Sequence, residues 1–167
     1  VANADHRGRP HDPGPALRNL SERLADLGGG RIMAHAIDLL PGFHDIALYP
    51  RERESIQRNG ITRALHSLGA GEDDVVTITD ADEIPTPGAV AWYAADRSGV
   101  HSLDMRQHCY WLDGVVRDTR WPHARIMRRR DMEWFGGPDH IRLTEKPLPV
   151  ITSAGWHFSW CGGLAAV

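Results

Sequence analysis

The sequence predicts an α/β fold, and three observations carry that prediction. Apolar residues recur at helical intervals in two separate stretches, short apolar runs stop at Gly, Pro or Asp, and the two kinds of segment alternate along the chain. The alternation gives way to strands alone late in the sequence, so antiparallel pairing is expected there. At 167 residues the chain has the size of one ordinary domain, which buries a core without disulfide or metal staples.

Residues 1–4 read as the end of a strand, and a polar Gly- and Pro-rich loop runs on to Pro15. Leu17, Leu20, Leu24 and Leu27 form one helical stripe that stops at Gly28-Gly29-Gly30. Residues 31–37 suit a short strand, and Pro41-Gly42 separates it from the next element. Residues 51–68 predict a helix that turns Ile56, Ala64, Leu65 and Leu68 to a sheet and ends at Gly69. Residues 75–79 predict a buried strand. Thr86-Pro87 reads as an N-cap with Pro in the first turn, opening a helix over 87–96. After Gly99, strands are expected near 100–105, 109–112 and 123–127, with a turn at Asp113-Gly114.

Composition narrows the function. The net charge is −3, which does not suggest a nucleic-acid surface, and no apolar stretch reaches membrane-spanning length. Cys109 and Cys161 are the only cysteines, too few for a disulfide framework and without zinc spacing. Arg128-Arg129-Arg130 reads as a solvated strand end that can also meet an anionic ligand.

Two segments carry chemistry. In Ile78-Thr79-Asp80-Ala81-Asp82-Glu83-Ile84-Pro85, an apolar strand delivers two carboxylates one residue apart at its tip. Ligands bind outside the carboxyl ends of strands in open α/β sheets, so this Asp-x-Asp is placed to hold Mg2+ or Mn2+ on a phosphate. The plainer reading is helix capping, with Glu83 as a dipole partner; it accounts for Thr86 but not for the Asp80 and Asp82 pair. In Ala154-Gly155-Trp156-His157-Phe158-Ser159-Trp160-Cys161, aromatics surround one His between glycines. It reads as a half-buried strand with Trp156, Phe158 and Trp160 on one face and His157 on the other, or as a sugar platform beside a metal ligand.

These two motifs, the stretch Arg51 to Gly60 upstream, and Met105-Arg106 with Tyr110-Trp111 between them together resemble glycosyltransferase family 17. That family includes the β-1,4-mannosyl-glycoprotein 4-β-N-acetylglucosaminyltransferase and many bacterial relatives. The resemblance implies a bacterial-type member, incomplete at both ends, with a GT-A type fold. That fold is a Rossmann-like sandwich whose mixed, mostly parallel central sheet is flanked by helices. One domain is implied, with residues 1–98 as the nucleotide-sugar half and 99–167 as the acceptor half.

The implied function is metal-dependent, inverting transfer of a sugar, N-acetylglucosamine in the named relative, from a UDP-sugar to a glycan hydroxyl. By the same resemblance Asp80, Asp82 and His157 hold Mn2+ or Mg2+, and Glu83 belongs to the same motif. Arg58 and Asn59 meet the nucleotide, and Trp156 and Trp160 line the sugar or acceptor pocket. The general base is not identified; Asp104 and Asp113, near strand ends, are candidates. The partners implied are a nucleotide-sugar donor and a glycan acceptor, with neither nucleic acid nor a membrane segment. The location implied is the cytoplasm of a bacterium, or the Golgi lumen in a eukaryote.

Two alternatives remain. A haloacid-dehalogenase-type phosphatase also uses Asp-x-Asp after a strand, but needs a downstream Lys and a second acidic pair, and no such pair follows the single Lys146. A non-catalytic carbohydrate-binding module would keep the aromatics and has no use for Asp80 and Asp82.

Overall fold

The computed structural model describes residues 50–159 together with positions 15, 19 and 22. The chain forms two compact units, Val1–Gly69 and Ala70–Val167. The strands expected at 1–4 and 31–37, the Leu17 to Leu27 stripe, Trp160 and Cys161 lie outside the described residues.

In the first unit helix α1 spans Pro50–Ser67. It closes as its sequence requires: Gly69 adopts a φ of 70°, open to glycine at no steric cost, and its amide bonds to the carbonyl of His66 at 3.0 Å. Glu54 and Arg58 pair one turn apart on this helix.

The second unit runs β1 (Val75–Ile78), β2 (Glu83–Pro85), α2 (Pro87–Asp96), β3 (His101–Cys109), β4 (Val115–Arg128), α3 (Arg129–Trp134), α4 (Pro138–Leu143) and β5 (Val150–Ser159). The five strands form one mixed sheet in the order β1-β4-β3-β5-β2. Only β3 and β5 pair in parallel; the other three pairings are antiparallel. The expectation of a mostly parallel sheet is therefore corrected for the described residues. Helices α3 and α4 and a long return separate β4 from β5, and that connection is what lets β5 run alongside β3 in the same direction.

Local expectations differ in outcome. Helix α2 begins and ends where the sequence places it, and the Thr86 hydroxyl caps it by accepting from the Ala89 amide at 3.2 Å. The strands expected at 100–105 and 109–112 are instead one strand, β3, and residues 110–114 make the turn into β4. There the Gly114 amide bonds to the Trp111 carbonyl at 3.0 Å. The run 75–79, expected to be buried, is an edge strand that buries Val76 and Ile78 and turns Thr77 outward.

The sheet is curled, and the chain itself requires it. β1 and β2 occupy opposite edges. Four interstrand steps of about 4.8 Å would put the edges of a flat sheet about 19 Å apart. The chain from Ile78 to Glu83 spans only about 17 Å even when fully extended. It is not extended: the Glu83 amide bonds back to the Asp80 carbonyl at 3.0 Å. The Asp-x-Asp segment is thus a short strap across the two edges.

The core lies between α2 and the middle strands, where Ala89 and Tyr93 pack on Leu103, Met105, Ala124, Ile126 and Ala154. Tyr93 is fully buried, and its hydroxyl donates to the Gly99 carbonyl at 2.7 Å. A Cβ at Gly155 would collide with the Ile84 carbonyl oxygen, so only glycine lets β2 dock on β5. Among the described residues no helix is long and apolar enough to cross a membrane.

Candidate functional site

The strap and its surroundings form the site. Asp80 and Asp82 leave β1 on a turn whose carboxylates remain 48% and 45% exposed. Glu83, the next carboxylate along, begins β2 and is wholly buried at its side chain. The difference arises from the ladder, because Glu83 faces His157 across the β2–β5 pair and points inward with it.

A buried carboxylate must be compensated. Arg142, at the end of α4 and only 4% exposed, grips Glu83 with both terminal nitrogens, at 2.9 Å to Oε2 and 2.5 Å to Oε1. The Trp121 indole N–H donates to Oε1 at 2.5 Å, and the Asp80 amide donates to Oε2 at 2.9 Å. Burial alone would push the Glu83 carboxyl up. Hydrogen bonds from Arg142, Trp121 and Asp80, with the Arg142 charge, outweigh it and hold the carboxyl below its ordinary range. Burial disfavours charge on Arg142 in turn, but bonding to Glu83 and the charges of Glu83 and Asp80 raise its pKa above the usual arginine value.

Arg142 also reaches outward, its Nη2 meeting Asp80 Oδ2 at 2.6 Å. One guanidinium therefore ties a buried anchor to an accessible carboxylate. Next to it Arg125 donates to the Ile141 and Pro122 carbonyls, and burial, then the like charge of Arg142, lowers its pKa to about 10. Burial and the same two cations lower His123, whose ring meets Trp121 edge-on at 4.5 Å.

Asp82 pairs with the other motif. Its Oδ2 lies 3.3 Å from His157 Nε2, which also lies 3.2 Å from the Ser159 hydroxyl. The Phe158 amide donates to the Asp82 carbonyl at 2.9 Å. Trp121 stacks on the His157 ring, and His157 Nδ1 is buried without a hydrogen-bond partner. The two segments singled out in the sequence are thus one site, joined by the β2–β5 ladder.

Other candidates fall elsewhere. Trp156 pairs with Ile84 and is exposed where His157 is buried, as alternation along β5 requires, so the two side chains take opposite faces. Asp104 is buried on β3; its Oδ2 pairs with Arg120 at 3.1 Å and its Oδ1 has no partner. Asp113 is exposed in the β3–β4 turn. The bonds that join Asp80, Glu83, Asp82 and His157 include neither. Arg58 and Asn59 belong to α1 in the first unit.

Asp80 and Asp82 are half-exposed carboxylates, and His157 lies beside Asp82. Among the described residues no group of three or more His, Cys, Asp or Glu side chains could hold a metal ion by itself. Two half-exposed carboxylates with an imidazole beside one of them instead suit Mg2+ or Mn2+ that takes most of its ligands from water and phosphate. Arg142 and Trp121 were not legible as site residues. They lie 59 and 38 positions from Glu83, outside any motif, and only the fold brings them to it.

The comparison with known families decides the assignment. The model of glycosyltransferase family 17 matches residues 38–163, most of the chain and both motifs. The chain belongs to glycosyltransferase family 17. No curated protein and no solved structure matches it. As a family 17 member it is a glycosyltransferase, so a sugar donor and an acceptor are its substrates in kind.

Proposed function

We propose that this family 17 chain transfers a sugar, N-acetylglucosamine by family likeness, from a UDP-sugar to a glycan hydroxyl with inversion. The observation that carries the reading is the pairing of exposed and anchored carboxylates. Asp80 and Asp82 are open to a ligand, while Glu83 between Arg142 and Trp121 holds the turn that presents them.

Asp80, Asp82 and His157 would hold Mn2+ or Mg2+, which when bound supplies positive charge against the departing diphosphate. The chain's own residues do the rest. Arg142 fixes the Asp80 carboxylate, and Asp82 with Ser159 orients the His157 imidazole. Glu83 is spent on Arg142 and Trp121, so it positions the site and does not touch the donor. Neither candidate base joins this network: Asp104 is paired with Arg120 on the opposite sheet face, and Asp113 is exposed in the β3–β4 turn, so neither is assigned as the general base.

Calorimetry with UDP-N-acetylglucosamine and other UDP- and GDP-sugars, with and without Mn2+, tests the reading. Metal-dependent binding of a nucleotide sugar, abolished in Asp80→Ala and Asp82→Ala, is the expected result. Metal-independent glycan binding alone would favour the carbohydrate-binding module, and phosphate release without nucleotide-sugar turnover would favour the phosphatase.

A further inference from the structure

A second surface lies on the sheet face opposite His157. Across four adjacent strands Arg120, Arg106, Trp156 and Ile84 are successive cross-strand partners, so they form one row on one face. All four are exposed, Trp156 by 39% and Ile84 by 49%. The row is cationic at one end and apolar at the other.

Its cationic end needs a counter-charge. Arg106 and Arg120 stand directly opposite each other, an arrangement that destabilises a ladder when nothing lies between the like charges. Both line a cleft of about 340 Å3 with Arg117, Thr119, Ser153 and a single acid, Asp118. Asp104 pairs with Arg120, whereas among the described residues Arg106 and Arg117 have no ion pair or side-chain hydrogen bond. Arginines elsewhere in this unit are committed: Arg128 donates to three backbone carbonyls, Arg130 pairs with Asp73, and Arg142 with Glu83. The guanidiniums of the cleft are placed to take an anion in the forked geometry that carboxylate and phosphate share.

We propose that the cleft and the adjoining Trp156 bind an oligosaccharide that carries carboxylate or phosphate groups, at a surface separate from the Asp80 and Asp82 site. The Trp156 ring supplies a flat face for a sugar ring, Arg106 and Arg117 clamp the anionic group, and Asp104 keeps Arg120 extended toward it. Nucleic acid would also present a ring next to a phosphate. The chain's net charge of −3 lacks the broad positive field that nucleic-acid binding draws on.

The test is a titration of the whole chain, in low salt and without metal or nucleotide sugar, so its outcome is independent of the transferase reading. The probes are a hyaluronan tetrasaccharide for the carboxylate arm, inorganic phosphate for the phosphate arm, and chitotetraose as a neutral control of equal length. The tetrasaccharide is expected to bind and to weaken at least about fivefold in Arg106→Gln and in Arg117→Gln, as for loss of one charged hydrogen bond. Both positions are exposed, so the variants fold. Trp156→Ala should weaken the tetrasaccharide and leave phosphate unchanged. Arg130→Gln, which removes the same charge in the first turn of α3, should alter neither. Phosphate binding that depends on Arg106 and Arg117, without tetrasaccharide binding, would assign the cleft to phosphate-bearing saccharides. Equal binding of chitotetraose, indifference to both Arg substitutions, or capture of a single-stranded oligonucleotide in place of both anionic probes would overturn the proposal.

Discussion

Trp121 and His157 lie face to face, their ring centroids 4.0 Å apart and their planes within 13° of parallel, while the same indole donates its N–H to Glu83. One side chain from β4 thus serves both motifs, flanking the imidazole with its face and the carboxylate with its edge. Trp121→Phe keeps a ring over His157 and deletes the donor. The expected loss is about 2 kcal/mol of folding stability, the cost of depriving a buried carboxylate of one hydrogen bond, read from urea unfolding.

Arg142 is the larger dependency. Arg142→Gln leaves the Glu83 carboxylate buried without its cation, which should cost about 3 to 5 kcal/mol. Removing the charge on both sides, as Arg142→Gln with Glu83→Gln, should cost less than Arg142→Gln alone, since no uncompensated charge stays buried. A double-mutant cycle in urea measures the difference, and strict additivity of the two substitutions would sink the idea that they act as a unit.

The same pair sets a response to acid. The Glu83 carboxyl titrates below its ordinary value of 4.5 in the folded chain, so the unfolded chain takes up the proton first as pH falls. Its contribution to stability is fully present above the unfolded value and is lost as pH drops toward the folded one. Stability should therefore fall more steeply below about pH 4.5 in the parent chain than in Glu83→Gln. Unfolding midpoints across pH 3 to 7 check this.

Gly155 tests the seam between the strands. In Gly155→Ala the new methyl runs into the Ile84 carbonyl oxygen and meets the Met105 side chain at 3.1 Å. Both neighbours belong to packed strands and yield little, so a loss of about 1 to 3 kcal/mol is expected, with β2 the first strand to gain amide hydrogen exchange. What approaches the Gly155 backbone is β2 of the same chain.

The features legible in the sequence are those encoded locally. Helix α2 shows its cap and its Pro within a few residues, and α1 shows its terminating Gly69. Asp80, Asp82 and His157 stand out because each motif is a contiguous run. The partner of Glu83 does not, because nothing near Arg142 marks it as buried beside a carboxylate 59 positions away. Strand β2 escapes notice because three residues carry no period, and β3 reads as two strands because the polar run Arg106-Gln107-His108 interrupts its apolar pattern while the turn beyond holds Tyr110, Trp111 and Leu112. The parallel β3–β5 pairing depends on how the chain returns after α4, which no local pattern records.

Because residues 79–82 tether the opposite margins of the sheet, whatever seats itself on Asp80 and Asp82 also reinforces the closure of the domain. Occupancy there and the cohesion of β1 with β2 become one equilibrium.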